Sequence, residues 1–287
     1  MQACDLQKPY QPYRVLLLGA SGKLGRIVQA VYAHDQGAEI SITPVARRSC
    51  GLAGALYWHP GEDMAHLPQC DGVLALWGVT QGGQDALAQN SALAIKAEQV
   101  ARQTGASCVI HCSSAAIYRP ARHSLTEEAP VDPPSAYGRA KLHMEQVIKS
   151  MRDDLRHVVL RIGNVAGAES LFGNMRSGKP VVLDQFENGQ GPERSYISPQ
   201  DLARVFIALL HDETARGVYN VAAPDPVRMQ DLAKAAGCEV IWRRAPIHAV
   251  QSVILDTSCL ARHVPLAAPS SDPATLVACA QKAGIWP

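Results

Sequence analysis

Residues 16–28 read L-L-L-G-A-S-G-K-L-G-R-I-V. An apolar, strand-like run ends in a glycine-punctuated turn, and a helix opens behind it. Gly19 permits the tight turn, Gly22 lets a pyrophosphate approach the backbone, and Gly25 lets helix and strand pack closely. The helix N-terminus then faces the phosphates, where its free N–H groups and dipole favour an anion. The spacing is G-x-x-G-x-x-G, not G-x-G-x-x-G, and a plain strand–turn–helix is the competing reading of these residues alone. Their place after a clean strand near the N-terminus predicts nucleotide binding.

Outward from this stretch, apolar runs recur at 14–19, 40–46, 72–78, 107–113, 157–163 and 218–222. Near-continuous runs of this kind suit strands buried on both faces. Helical periodicity fills the gaps. Leu87, Leu93, Ala94, Ala97, Val100 and Ala101 share one helical face, and Ala140, Met144, Val147, Ile148 and Met151 share another. Strands alternating with helices predict an α/β fold with a doubly wound parallel sheet, the Rossmann arrangement. The rhythm breaks after residue 165. We expect a nucleotide-binding domain over 1–165, with 196–223 returning to it. Residues 166–195 and 224–287 are expected to form a small C-terminal substrate lobe.

The ribose reader should sit about 20 residues beyond the glycine loop, at the end of the second strand. That strand ends V-A-R-R-S, so Arg47 and Arg48 stand where an acidic residue would accept the 2′-hydroxyl of NAD. Two cations there suit the 2′-phosphate of NADP. Two solvated surface arginines are the alternative.

The run S-C-V-I-H-C-S-S-A-A-I-Y (107–118) is a strand ending in two serines. A loop of about fifteen residues follows, and loops that long inside a compact domain are usually functional. Then comes S-A-Y-G-R-A-K (135–141), with Tyr137 four residues ahead of Lys141. On a helix this spacing stacks a phenol and an ammonium on one face. Strand ends, the glycine loop and the start of this helix all fall at the carboxyl edge of the sheet, where open α/β folds bind ligands.

The bulk numbers exclude other classes. With 287 residues, 47% of them hydrophobic, the chain can bury a large core. Net charge is +1 with 18% charged residues, so there is no basic excess for nonspecific nucleic-acid binding. No apolar stretch reaches the length of a membrane span, and the first ten residues lack the apolar core of a signal peptide. The 8 cysteines form no C-x-x-C or Cys/His zinc pattern, which predicts reduced thiols, no metal and a cytoplasmic protein.

Taken together the motifs resemble the extended short-chain dehydrogenases/reductases of the NAD(P)-dependent epimerase/dehydratase family. G-A-S-G-K-L-G (19–25) resembles the family's glycine loop, and S-S-A-A-I-Y (113–118) its S-S-x-x-V-Y strand end. Y-G-R-A-K supplies the Tyr and Lys, and Asn90 matches a helix Asn. L-R-I-G-N-V-A-G (160–167), S-G-K-P-V-V-L (177–183), P-E-R-S-Y-I-S-P-Q-D-L-A (192–203), G-V-Y-N-V-A-A-P (217–224) and L-D-T-S-C-L (255–260) resemble its later segments. The resemblance implies Ser114, Tyr137 and Lys141 as catalytic residues. It implies cofactor contacts from Gly19, Ser21, Gly22, Lys23, Leu24, Gly25, Arg47, Arg48, Trp77, Gly78, Lys141 and Ile162. It implies substrate contacts from Ser114, Asn164 and Arg194, and a homodimer through two sheet-flanking helices.

The implied chemistry is hydride exchange between a nicotinamide and a carbonyl or secondary alcohol of a sugar-like or other small substrate. Tyr137 passes the proton, Ser114 orients the substrate oxygen, and Lys141 favours ionisation of Tyr137. Departures from the pattern narrow this. Sugar-nucleotide 4,6-dehydratases carry Asp-Glu after the catalytic Ser or Thr, where this chain has Ala115 and Ala116. Arg194 matches an Arg that meets the substrate diphosphate in nucleotide-sugar enzymes, but the neighbouring Asp and His positions are Ser195 and Ser198. The leading expectation is an NADP(H)-dependent oxidoreductase, with NAD as the other cofactor. A nucleotide-sugar 4-epimerase holding NAD is the alternative. A nonenzymatic NADPH-sensing protein is a third, and the intact Ser-Tyr-Lys set argues against it.

Overall fold

The computed structural model describes residues 11–33, 40–49, 51–121, 123–175 and 180–286. β1 (Tyr13–Leu18) leads into α1 (Lys23–Ala33), β2 (Ile40–Ala46) and a two-residue β3 (Leu56–Tyr57). β4 (Gly72–Ala75), α2 (Gln84–Thr104) and β5 (Cys108–Ser114) follow, then a 3-10 turn (Ala115–Ile117), α3 (Ala136–Lys149) and β6 (Arg156–Ile162). Shorter pieces come next: β7 (Asn164–Val165), α4 (Ser170–Asn174), β8 (Val181–Gln185), β9 (Glu193–Arg194) and β10 (Tyr196–Ile197). α5 (Pro199–His211) and β11 (Gly217–Val221) precede β12 (Val227–Arg228), α6 (Met229–Ala235), β13 (Val240–Arg244), β14 (Ser252–Val253), α7 (Ser258–Ala261) and α8 (Pro273–Lys282).

Seven strands form one sheet in the order β11-β6-β5-β4-β1-β2-β3. Every pairing in it is parallel. β1 shows why the runs are continuous. Val15 and Leu17 pack with Ile27 and Val28 of α1 and with Val205 and Phe206 of α5. Leu16 and Leu18 point to the other face, with Ala97, Val100 and Ala101 of α2. Alternate residues serve opposite helical layers, so Val15 to Leu18 are all apolar, while Arg14 at the exposed start of the strand pairs with Asp71. Each fully buried Leu contributes about 1.5–3 kcal/mol through this transfer from water.

The doubly wound parallel sheet agrees with the sequence expectation. Two details differ. The apolar run 72–78 leaves the ladder after Ala75. Leu76 still donates to the Leu18 carbonyl at 3.0 Å, and Trp77 and Gly78 then turn over the glycine loop. β3 was not expected, because two residues carry too little periodicity to register.

A second core lies beyond the sheet. It gathers Phe172, Val181, Leu183, Tyr196, Leu232 and Leu276. Trp286 closes it, its indole N–H shared between the carbonyls of Phe172 (2.9 Å) and Met175 (3.0 Å). Among the described residues no helix is long and apolar enough to cross a membrane, and no cluster of His, Cys, Asp or Glu could hold a metal ion.

Candidate active site

The strand order reverses between β1 and β4, which opens a crevice at their carboxyl ends. The glycine loop fills one wall of it. Gly19 has φ +87°, a left-handed conformation that side chains disfavour, and a Cβ there would lie 2.6 Å from the Trp77 nitrogen. Gly19 N and Ala20 N both donate to the Val45 carbonyl, at 3.2 and 3.1 Å, which ties the loop to the end of β2. A Cβ on Gly25 would run into the carbonyl of Gly19 and the Cα of Ala20. The glycines therefore allow three backbone segments to meet. Ser21, Gly22 and Lys23 remain exposed at the start of α1, and Leu24 is half-buried against the core. Lys23 Nζ reaches across to the Ala168 carbonyl at 3.1 Å. Arg47 and Arg48 follow β2 directly and are both exposed.

Trp77 stacks on Trp58 with ring centroids 6.2 Å apart, and its indole N–H has no partner among the described residues. Gly78 lies beyond it. A Cβ on Gly78 would stand 2.9 Å from Asn90 Oδ1 and 3.3 Å from Lys141 Nζ. Asn90 is buried in α2 and braces this turn. Its Oδ1 accepts from Val79 N at 3.2 Å, while its Nδ2 donates to the carbonyls of Val79 (3.0 Å) and Leu87 (2.8 Å).

Ser114 ends β5 and caps the 3-10 turn, accepting from Ala116 N at 3.2 Å. Ser135 caps α3 in the same way, accepting from Gly138 N at 3.0 Å. Tyr137 thus sits in the first turn of α3, near enough to Ser114 for that hydroxyl to act on its phenol. Gly138 makes that approach feasible. A Cβ there would collide with the Ala116 carbonyl and stand 2.8 Å from Pro133. Burial pushes the Tyr137 phenol up to about 12, assisted by the Cys112 thiol and opposed by the Ser114 hydroxyl.

Lys141 lies one turn further along, 3% exposed, and donates to the Cys112 carbonyl at 2.8 Å. Burial lowers its pKa, while Cys112 and Glu145 favour the ammonium. Tyr137 and Lys141 share a helix face, and the Lys141 ammonium is turned onto the Cys112 carbonyl. Burial is the largest influence on the phenol and favours its acid form.

The remaining positions lie around this centre. Ile162 is core, paired in register with Ser114 across the β5–β6 ladder. Asn164 is half-buried in β7, paired in register with Tyr196 of β10, whose hydroxyl donates to Glu169 at 3.2 Å. Arg194 is neither a free cation nor a surface salt bridge. Its Nη1 donates to the carbonyls of Glu193 and Gln251, both at 2.7 Å, and its Nη2 to that of Val250 at 2.8 Å. Ser195 Oγ accepts from Leu255 N at 2.9 Å, and Ser198 caps α5. Part of the S-G-K-P-V-V-L segment, 177–179, lies outside the described residues.

The residues present fit a nicotinamide dinucleotide. A bare glycine backbone faces the crevice beside a helix N-terminus, and Gly78 brings backbone close against Asn90 and Lys141, where a side chain would not fit. When bound, such a cofactor supplies or accepts a hydride. Gly138, Cys112 and the partners of Asn90 were not assigned roles from sequence. The only signal for Gly138 was its place inside Y-G-R-A-K.

Comparison with known proteins agrees with this geometry. A family model described as the NAD dependent epimerase/dehydratase family matches residues 15–222. An uncharacterised protein, y4nL of Sinorhizobium fredii, is 26% identical over 125 residues, and the match covers 40% of this chain and 34% of that protein's length. A short-chain dehydrogenase/reductase superfamily protein from Agrobacterium tumefaciens with bound NAD is 20% identical, with a TM-score of 0.77 over 94% of this chain and 97% of that one. A UDP-N-acetylglucosamine 4-epimerase from Methanobrevibacter ruminantium, in complex with UDP-N-acetylmuramic acid, is 18% identical at TM-score 0.77, covering 95% and 98%. A mutant UDP-glucuronic acid 4-epimerase from Bacillus cereus with NAD is 16% identical at TM-score 0.74, covering 94% and 99%. The family model spans most of the chain, and the fold and motifs agree with it, so the chain belongs to the NAD dependent epimerase/dehydratase family.

Proposed function

We propose that this enzyme is an NADP(H)-dependent oxidoreductase acting on the carbonyl or secondary alcohol of a sugar-like or other small compound without a nucleoside diphosphate. The observation that carries this reading is the convergence of Ser114, Tyr137 and Lys141 beside Gly78 at the sheet's switch point. Ser114 orients the substrate oxygen. Tyr137, with its phenol near 12, holds a proton through the neutral range and delivers it to that oxygen during reduction. Lys141 stays fixed on the Cys112 carbonyl, close beside the Gly78 backbone. Ala115 and Ala116 provide no carboxyl group for elimination of water.

Arg47 and Arg48 support NADP over NAD. A charge-assisted hydrogen bond to the 2′-phosphate is worth about 1.5–3 kcal/mol. NADPH is therefore expected to bind about tenfold or more tighter than NADH. Fluorescence titration with both reduced cofactors checks it, and equal or tighter NADH binding overturns the NADP assignment.

The state of Arg194 supports a substrate without a diphosphate. Three of its five N–H donors are occupied by the carbonyls of residues 193, 250 and 251, and burial lowers its pKa. The wild type is expected to bind none of UDP, GDP or dTDP detectably by calorimetry. Micromolar binding of any one would instead favour the 4-epimerase reading, which the UDP-sugar epimerases among the structural neighbours keep in view.

A further inference from the structure

Three successive residues of β5 meet three residues of α3 spaced one turn apart. Ser114 meets Tyr137, and the Cys112 carbonyl meets Lys141. Between them, Ser113 Oγ donates to Glu145 Oε1 at 2.5 Å. Tyr137, Lys141 and Glu145 stand at i, i+4 and i+8, so a single helix face carries all three contacts. We propose that Glu145 is a positioning residue for this face, and that its contact with Ser113 sets where β5 presents Ser114 and the Cys112 carbonyl to Tyr137 and Lys141. The inference rests on the catalytic reading of those three residues.

Glu145 is held from behind as well. Arg161 of β6 donates to it through Nη2 at 2.8 Å and through Nε at 3.2 Å, and both side chains are about nine-tenths buried (8% and 7% exposed). The remaining Arg161 nitrogen, Nη1, donates to the Tyr118 hydroxyl at 2.8 Å and the Glu127 carbonyl at 2.7 Å. Tyr118 in turn donates to Asn220 Oδ1 at 2.7 Å, and Asn220 N donates to the Glu127 carboxylate at 2.7 Å. The chain of contacts thus joins β5, α3, β6 and β11 to the long loop between Ser114 and Tyr137. A buried pair this fully hydrogen-bonded gives one geometry, and a partly satisfied one would be costly. Ser114 and Tyr137 come from segments separated by that loop, so this contact network is what aligns them.

Electrostatics gives a readout that packing alone would not. The charged or titratable groups facing Lys141 are Cys112 and His111 from β5 and Glu145 from α3. Asn90 Oδ1 lies near it as a neutral acceptor, and Met144 Sδ is 3.8 Å away. The Glu145 carboxylate favours the ammonium, whereas burial and a neighbouring cation disfavour it. Glu145→Gln keeps the shape, removes the anion and leaves Arg161 unopposed. Lys141 should then lose its proton at lower pH.

The test compares wild type and Glu145→Gln by NMR titration of carbon-labelled lysine in the ligand-free protein, and by kcat against pH with a reducible carbonyl substrate. Lys141 is expected to titrate at lower pH in the variant. Its kcat should fall by about tenfold to hundredfold with unchanged cofactor affinity, as small misplacements of catalytic groups do. The alkaline limb of the rate profile should move to lower pH. A folded variant with wild-type Lys141 titration and kcat overturns the proposal. Should Glu145→Gln fail to fold, Ser113→Ala breaks the same contact and leaves the Glu145–Arg161 pair intact. Reduced kcat with a native melting curve supports the proposal, and wild-type kcat overturns it. A wild type that turns over no carbonyl compound would sink the enzymatic reading alone, because the Lys141 titration still decides for or against Glu145.

Discussion

Tyr137→Phe is expected to lose roughly a hundredfold or more in turnover while still binding the cofactor as the wild type does. The substitution keeps the ring in the first turn of α3 and removes only the hydroxyl that faces Ser114. The glycine loop, Gly78 and Lys141 are untouched, so affinity for a nicotinamide dinucleotide should not change. The half-buried phenol holds its proton up to about 12, so it is in its acid form throughout the neutral range. The check is kcat and the cofactor dissociation constant measured on one preparation. Near-native turnover would remove Tyr137 from the proton path. A parallel loss of cofactor binding would assign it a structural role instead.

Gly138→Ala should be nearly as damaging, though it touches no reacting atom. Helix propensity alone favours alanine by about 1 kcal/mol. The new methyl would collide with the Ala116 carbonyl, and backbone cannot swing aside as a flexible side chain can. Overpacking of this kind costs about 1–3 kcal/mol, so the propensity gain is offset or exceeded. The relief available is separation of α3 from the 3-10 turn at Ala115–Ile117, which pulls Tyr137 from Ser114. A drop in kcat of about tenfold to hundredfold is expected, with a lower melting temperature. A variant that melts higher and keeps its activity would contradict the tight contact.

Much of this was legible in the sequence, because the relevant patterns are local. β1 must bury alternate residues on opposite faces, so it reads as an unbroken apolar run. The glycines at 19 and 25 answer to backbone approaches between neighbouring segments, and their spacing records that. The Tyr137–Lys141 spacing records a helix face. What stayed hidden depends on partners remote in the chain. Nothing near Arg194 announces that carbonyls at 250 and 251 will take its guanidinium. The upward shift of Tyr137 follows from burial and from Cys112 of β5, and spacing reports neither. Two-residue strands such as β9 and β10 leave no periodicity to read. Glu145 carries no local signal in the sequence, because its partners Ser113 and Arg161 lie on other strands.

The central claim is net hydride transfer between an exchangeable nicotinamide cofactor and a small carbonyl compound. Incubation of the wild type with NADPH deuterated at the transferring position, across a panel of sugar-like and other small carbonyl compounds, tests it most directly. Mass spectrometry of the products reads the outcome. The account predicts one deuterium in an alcohol product, formed in step with NADP and abolished in Tyr137→Phe. Epimerised product without label or cofactor consumption, or no labelled alcohol from any compound in the panel, would contradict it.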